Sequence, residues 1–211
     1  MRLWVLAAVA AVVTGAGIGA GTLLVGEDES PDSPAFSTTP LESFDTTTLA
    51  VARAGFCDDV DPRQVEAALG GEPADASAYD NGDEVTLADG VSDVAHEFGC
   101  TWTGADDTEA RAWVFAPPVD QDRADRLARE AERAEGCESS PTPAYGAPSV
   151  GLVCRDADGV RASYRGLFGD AWLTCELATP EPAPGTEADA TELRERAGVW
   201  CVGIALAATT R

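Results

Sequence analysis

Residues 150–177 read VGLVCRDADGVRASYRGLFGDAWLTCEL, and the punctuation inside that string predicts the fold class. Two strand-forming runs, 150–155 and 160–167, flank Asp156, Ala157, Asp158 and Gly159, whose Asp-Gly step favours the positive φ angles of a tight hairpin. A third run, 171–177, continues the meander. Because side chains alternate across a strand, Arg161 and Arg165 fall on one face of the second run.

Outward from this core the same alternation recurs upstream. Residues 97–103 and 110–116 predict a second strand pair joined by the turn 104–108, with Trp113 and Phe115 on one side. Between the two groups, 119–135 has helical composition, and Asp122 with Arg126 and Asp125 with Arg129 stand at the favourable acid-first i,i+4 spacing. Asp58, Asp59 and Asp61 precede PRQVEAALGG (62–71), in which Val65, Ala68 and Leu69 share a helical face and Gly70 and Gly71 supply the stop. Residues 71–92 lack a period and read as a long loop with a brief strand at 84–88. Downstream, TPEPAPG (179–185) reads as a surface loop before the longest predicted helix, 186–208. There Leu193, Ala197, Trp200 or Cys201, Ile204 and Ala208 form one stripe, and VWCVGIALAA (199–208) is apolar all round. Strands grouped in sequence and interrupted by helices predict an α+β fold, an antiparallel sheet of about five strands with helices on one face.

Residues 3–25, LWVLAAVAAVVTGAGIGAGTLLV, carry no charge. At 1.5 Å per residue they reach about 34 Å, enough to cross a hydrocarbon layer of roughly 30 Å. Arg2 precedes them and no basic residue follows until Arg53, which predicts a cytoplasmic N-terminus and an exported remainder. The expected organisation is therefore a single-pass signal-anchor over 1–25, a disordered acidic linker over 26–48, and one extracytoplasmic domain over 49–211. The alternative is a signal peptide cut among Ala16, Gly17, Gly19 and Ala20, releasing a secreted domain. Gly15 with Gly19, and Gly17 with Gly21, have the four-residue spacing of closely packed spanning helices.

Asp and Glu total 37 against 14 basic residues, all of them arginine, for a net charge of −23. Nucleic-acid affinity comes largely from cations that displace phosphate counterions, so this balance excludes DNA and RNA as partners. Six cysteines, Cys57, Cys100, Cys137, Cys154, Cys175 and Cys201, all follow the apolar segment and none forms a close C-x-x-C pair. Three disulfides in an oxidising compartment are expected, and no metal site or cofactor. Of the 15 possible pairings, proximity between predicted elements favours Cys57 with Cys100, Cys137 with Cys154, and Cys175 with Cys201.

Catalytic signals are sparse. His96 is the only imidazole, beside Glu97, and no nucleophile motif accompanies it. Gly146, Ala147, Pro148, Ser149 departs from a nucleophile elbow at Ala147 and Pro148. The acidic runs 80–84 and 156–159 lack the twelfth-position carboxylate of a calcium loop and read as turns. Trp102, Trp113, Tyr145, Tyr164 and Trp172 lie on or beside the predicted sheet, where core packing accounts for most of them.

Cys57 followed by Asp58, a short helix ending in Ala68, Leu69 and Gly70, the string Cys100-Thr101-Trp102, a helix, a strand pair and a Cys-bearing last helix resemble an uncharacterised domain family. That family occurs on exported lipoproteins and membrane-anchored proteins of high-GC Gram-positive bacteria, and the resemblance covers about residues 49–211. This chain lacks the lipid-modified cysteine of those lipoproteins, and the resemblance implies no catalytic residue. The expected function is a non-enzymatic binding or interaction module of the cell envelope, held in the membrane by residues 3–25 and engaging a protein partner there. The alternatives are a cell-envelope hydrolase using His96, and a sensory or assembly subunit of a membrane complex.

Overall fold

A computed structural model of the chain describes residues 36–88, 91–139, 143–180 and 190–209. The predicted membrane span, residues 3–25, lies outside these residues. Among the described helices none is long and apolar enough to cross a membrane.

The chain is mixed α+β, with a fully antiparallel seven-stranded sheet. Its strands are β1 (Asp75–Tyr79), β4 (Glu97–Thr103), β5 (Glu109–Phe115), β6 (Cys137–Ser139), β7 (Ser149–Asp156), β8 (Gly159–Phe168) and β9 (Ala171–Pro180), in the spatial order β1-β4-β5-β9-β8-β7-β6. β2 (Glu84–Ala88) and β3 (Val91–Val94) form a separate hairpin. The expected five strands become seven because both edges of the sheet were missed. β1, DASAY, is mostly exposed, and β6 has three residues. Edge strands need no continuous apolar face and are kept short or polar against open-edge aggregation, so they leave little hydrophobic signal.

Three helices complete the described fold: α1 (Pro62–Leu69), α2 (Gln121–Ala131) and α3 (Ala190–Ala207). Asp61 caps α1, its carboxylate accepting the Arg63 backbone N–H, and Gly70 closes the helix at φ 77°. The Arg63 guanidinium against Asp61 holds that carboxyl below its ordinary range. Asp120 caps α2 by accepting from the Arg123 N–H. α1 and α3 cover one face of the sheet, where Cys100, Ala110, Ala112, Val114, Val160, Ala162, Tyr164, Leu173, Cys175 and Leu177 pack beneath Trp200, Val202 and Ile204. Trp102 meets Trp200 edge-on at 5.4 Å, and the Trp200 indole N–H donates to the Arg111 carbonyl at 3.4 Å.

The expectation of helices on one face does not hold for α2. Its Ala124, Ala128 and Ala131 pack with Val150, Leu152, Cys154, Leu167 and Trp172 on the opposite side of the sheet. The hairpin register explains this. Val150 sits beside Arg165, Leu152 beside Ser163 and Cys154 beside Arg161, so the apolar positions of β7 face away from Val160, Ala162 and Tyr164 of β8. Two apolar faces require two covering layers.

The disordered linker expected over 26–48 is likewise corrected from Phe36 onward; residues 26–35 lie outside the described ones. Leu41 and Thr46 are buried within short 3-10 turns. Gln64 of α1, itself buried, accepts from the Ser37 N–H at 2.9 Å and donates to the Val199 carbonyl of α3 at 3.4 Å. The Gln64 side chain lies so close to Gly203 that a Cβ there would sit 2.4 Å from it. The Thr46 hydroxyl donates to the Ala144 carbonyl and accepts from the Gly146 N–H. Polar composition signalled a tether, but the Ser37 N–H and the Thr46 hydroxyl tie this segment into the fold through buried or part-buried hydrogen bonds.

The structure joins Cys57 to Cys100, Cys137 to Cys154 and Cys175 to Cys201, the pairs that proximity in sequence favoured. They tie the 3-10 turn Cys57–Asp59 to β4, β6 to β7, and β9 to α3.

Candidate functional site

The sheet face opposite α1 and α3 divides in two. α2 covers its β7–β8 corner, while the rows that reach across β1, β4, β5 and β9 carry polar side chains. Cross-strand registers set these rows. One runs Ser77, Thr101, Arg111, Glu176, Ser163, and the next runs Tyr79, Gly99, Trp113, Thr174, Arg165. A flanking row holds Thr103, Glu109, Ala178 and Arg161. In a chain of net charge −23, three of the 14 basic residues thus share one face of three neighbouring strands.

Each polar group has a definite local state. The Tyr79 hydroxyl donates to Glu97 Oε1 at 2.6 Å. Burial, and then that bond, push the Tyr79 pKa well above the ordinary range. Gly99 is required beneath the ring, because a Cβ would meet Tyr79 Cζ at 2.3 Å. The Arg111 guanidinium lies 5.6 Å from the Trp113 ring centroid and 3.6 Å from Glu109 Oε1, and Arg161 pairs with Asp156. Trp113 is half-buried, which leaves part of its indole to solvent.

Glu176 and Arg165 at the sheet centre are different. Glu176 is 7% exposed, yet the described residues place no hydrogen-bond or ion-pair partner on its carboxylate. Arg165 Nε is buried without an acceptor, and burial lowers the Arg165 pKa while the nearby Glu176 charge opposes that shift. The two groups attract without closing into a direct pair. Ser163 and Thr174 beside them are each 2% exposed. Buried polar groups left without partners cost free energy unless something bridges them.

The structure separates the residues that the sequence grouped together. Of the five aromatics, Tyr145, Tyr164 and Trp172 are buried, Trp102 packs against the core on the α3 face, and only Trp113 stands on the polar face. Arg161 and Arg165 do share that face. His96 is exposed at the entry to β4, and among the described residues no hydroxyl, thiol or carboxylate hydrogen-bonds to its ring. The Ser149 hydroxyl accepts from the Tyr145 N–H within its own turn. In the acidic runs, Asp83 accepts from the Asp80 N–H and Asp156 from the Asp158 N–H, as turn chemistry requires. Among the described residues no group of three His, Cys, Asp or Glu is placed to hold a metal.

A groove of about 490 Å³ opens on the other side, between Leu41, Gln64, Ala68, Tyr164, Gly198 and Trp200. Its polar atoms are largely engaged within the fold. The Tyr164 hydroxyl donates to the Arg194 carbonyl, and Arg196 donates to the Ala68 carbonyl at 2.7 Å. The centre of the sheet therefore carries the stronger chemical signal.

Sequence reasoning missed Glu176 and its neighbours Ser163 and Thr174. A signal existed: Glu176 lies between Cys175 and Leu177 in a mostly apolar strand, and buried carboxylates are rare without a partner. No protein-family model matches the chain, and no curated protein matches it, so the site rests on its own geometry.

Proposed function

We propose that the chain is a membrane-anchored, extracytoplasmic interaction module of the cell envelope, non-enzymatic, which recognises its partner through the polar sheet face around Glu176, Arg165, Arg111 and Trp113. One observation carries this reading. At the centre of the sheet the Arg165 Nε is buried without an acceptor and the nearby Glu176 carboxylate makes no hydrogen bond or ion pair with the described residues, beside a half-exposed indole. Stability alone gives no reason to keep such groups, since apolar side chains of similar volume are as good or better there. Three disulfides in the described domain support an oxidising location outside the cytosol, and the uncharged run 3–25 supports attachment through a peptide span.

The test is affinity capture of the intact anchored protein from its own envelope, comparing wild type with R111A/W113A and with His96→Ala. The double variant should lose the captured component and His96→Ala should retain it. Loss of a hydrolytic activity with His96→Ala, with capture unchanged in the double variant, contradicts it and favours the hydrolase reading.

A further inference from the structure

Resting on that reading of the sheet face, we propose that its ligand is a neutral, polyhydroxylated glycan at least two sugars long, which stacks one ring on Trp113 and sets a hydroxyl between Arg165 and Glu176. The central pair defines the chemistry. An anionic ligand group satisfies the guanidinium but meets the Glu176 carboxylate, and a cationic group satisfies Glu176 but meets Arg165. A hydroxyl donates and accepts at once, so it satisfies both groups. The surrounding charges make the same selection. Arg111, Arg161 and Arg165 are outnumbered on this face by Asp75, Glu97, Glu109, Asp156 and Glu176, so no net positive field draws a polyanion to it.

Trp113 supplies the second element. Its half-exposed indole offers an apolar plane to the C–H face of a pyranose, with the Arg111 guanidinium over the ring, 5.6 Å from its centroid, as a planar donor. Along the register Trp113, Thr174, Arg165, the indole and the Arg165 guanidinium stand two strands apart, about 10 Å at the usual strand spacing, which is the span of a disaccharide. A peptide fits less well. Extended peptides bind sheets at free edges, whereas β5, β9 and β8 are each hydrogen-bonded on both sides.

The experiment presents the purified full-length protein in detergent to an array of neutral, uronic-acid and amino-sugar oligosaccharides, followed by calorimetric titration of the strongest neutral binder. The expected result is binding to neutral oligosaccharides of two or more units. Affinity should fall by about tenfold or more in Trp113→Ala and in the isosteric Glu176→Gln, the scale of one lost contact. Trp113→Tyr keeps a stacking ring and should retain most of the affinity, which separates lost stacking from lost fold. A blank array, binding confined to acidic glycans, or unchanged affinity in Glu176→Gln overturns the proposal. If envelope capture still depends on Arg111 and Trp113 while the array is blank, the glycan is wrong and the recognition face stands. If neither depends on those residues, both readings fall.

Discussion

The two faces of the sheet are built from the same strands and differ in almost every physical respect. On the face under α1 and α3, alternate residues of β4, β5, β8 and β9 are apolar, sealed by Trp200 and stapled by Cys57–Cys100 and Cys175–Cys201. On the other, the intervening residues are Thr101, Arg111, Trp113, Ser163, Arg165 and Glu176, with α2 over one corner. The first face holds the domain together. The second retains a buried, unpaired Arg165 Nε beside Glu176 that stability alone does not require, which is why the proposed function is placed there.

Matched tryptophan truncations break the comparison most sharply. Trp200→Ala empties a fully buried volume and should cost about 3 to 5 kcal/mol, read as a large fall in the denaturant midpoint. Trp113→Ala on the polar face should cost about 1 kcal/mol or less, in the range of partly exposed substitutions. Equal losses would mean that the polar face is a second core.

Alkaline titration sharpens the comparison across both faces. All three tyrosines, Tyr79, Tyr145 and Tyr164, have raised pKa values, burial being the first cause in each, with Tyr164 pushed to about 12. A raised folded pKa means that the unfolded chain loses its phenolic protons first. The stabilising contribution is therefore full below about pH 10, the unfolded value, and is lost as pH rises through the folded values. Phenolate absorbance should stay low up to pH 11 and then rise together with loss of structure. A gradual rise centred near pH 10 in the folded protein would contradict these environments.

The smallest expected effect is at Tyr145. Its ring is buried between Tyr164 and Phe168, and its hydroxyl has no partner among the described residues. Tyr145→Phe removes an unsatisfied donor while keeping the ring, so stability should be unchanged or higher by up to about 1 kcal/mol. A clear loss in thermal unfolding would show that the hydroxyl is bonded.

Much of the covered face was legible in the sequence, because the alternation of β4, β5, β8 and β9 and the apolar end of α3 are strong periodic signals. β1 and β6 were not, since an edge strand such as DASAY has no apolar alternation to detect. The position of α2 was encoded in the hairpin register at Asp156 and Gly159, which sets Val150 and Leu152 on the side of Arg165 and Ser163. Arg161 and Arg165 were placed on one face from alternation alone. Glu176 was not, because its significance depends on burial, which a single strand sequence does not display.

The proposed function depends most on the described domain being a cross-linked, exported unit. Alkylation of the native, envelope-derived protein under denaturing, non-reducing conditions, followed by peptide mapping, tests this directly. The predicted result is no free thiol and three cystine peptides joining Cys57 to Cys100, Cys137 to Cys154 and Cys175 to Cys201. Recovery of six alkylated cysteines would contradict both the stapled core face and the proposed place outside the cytosol.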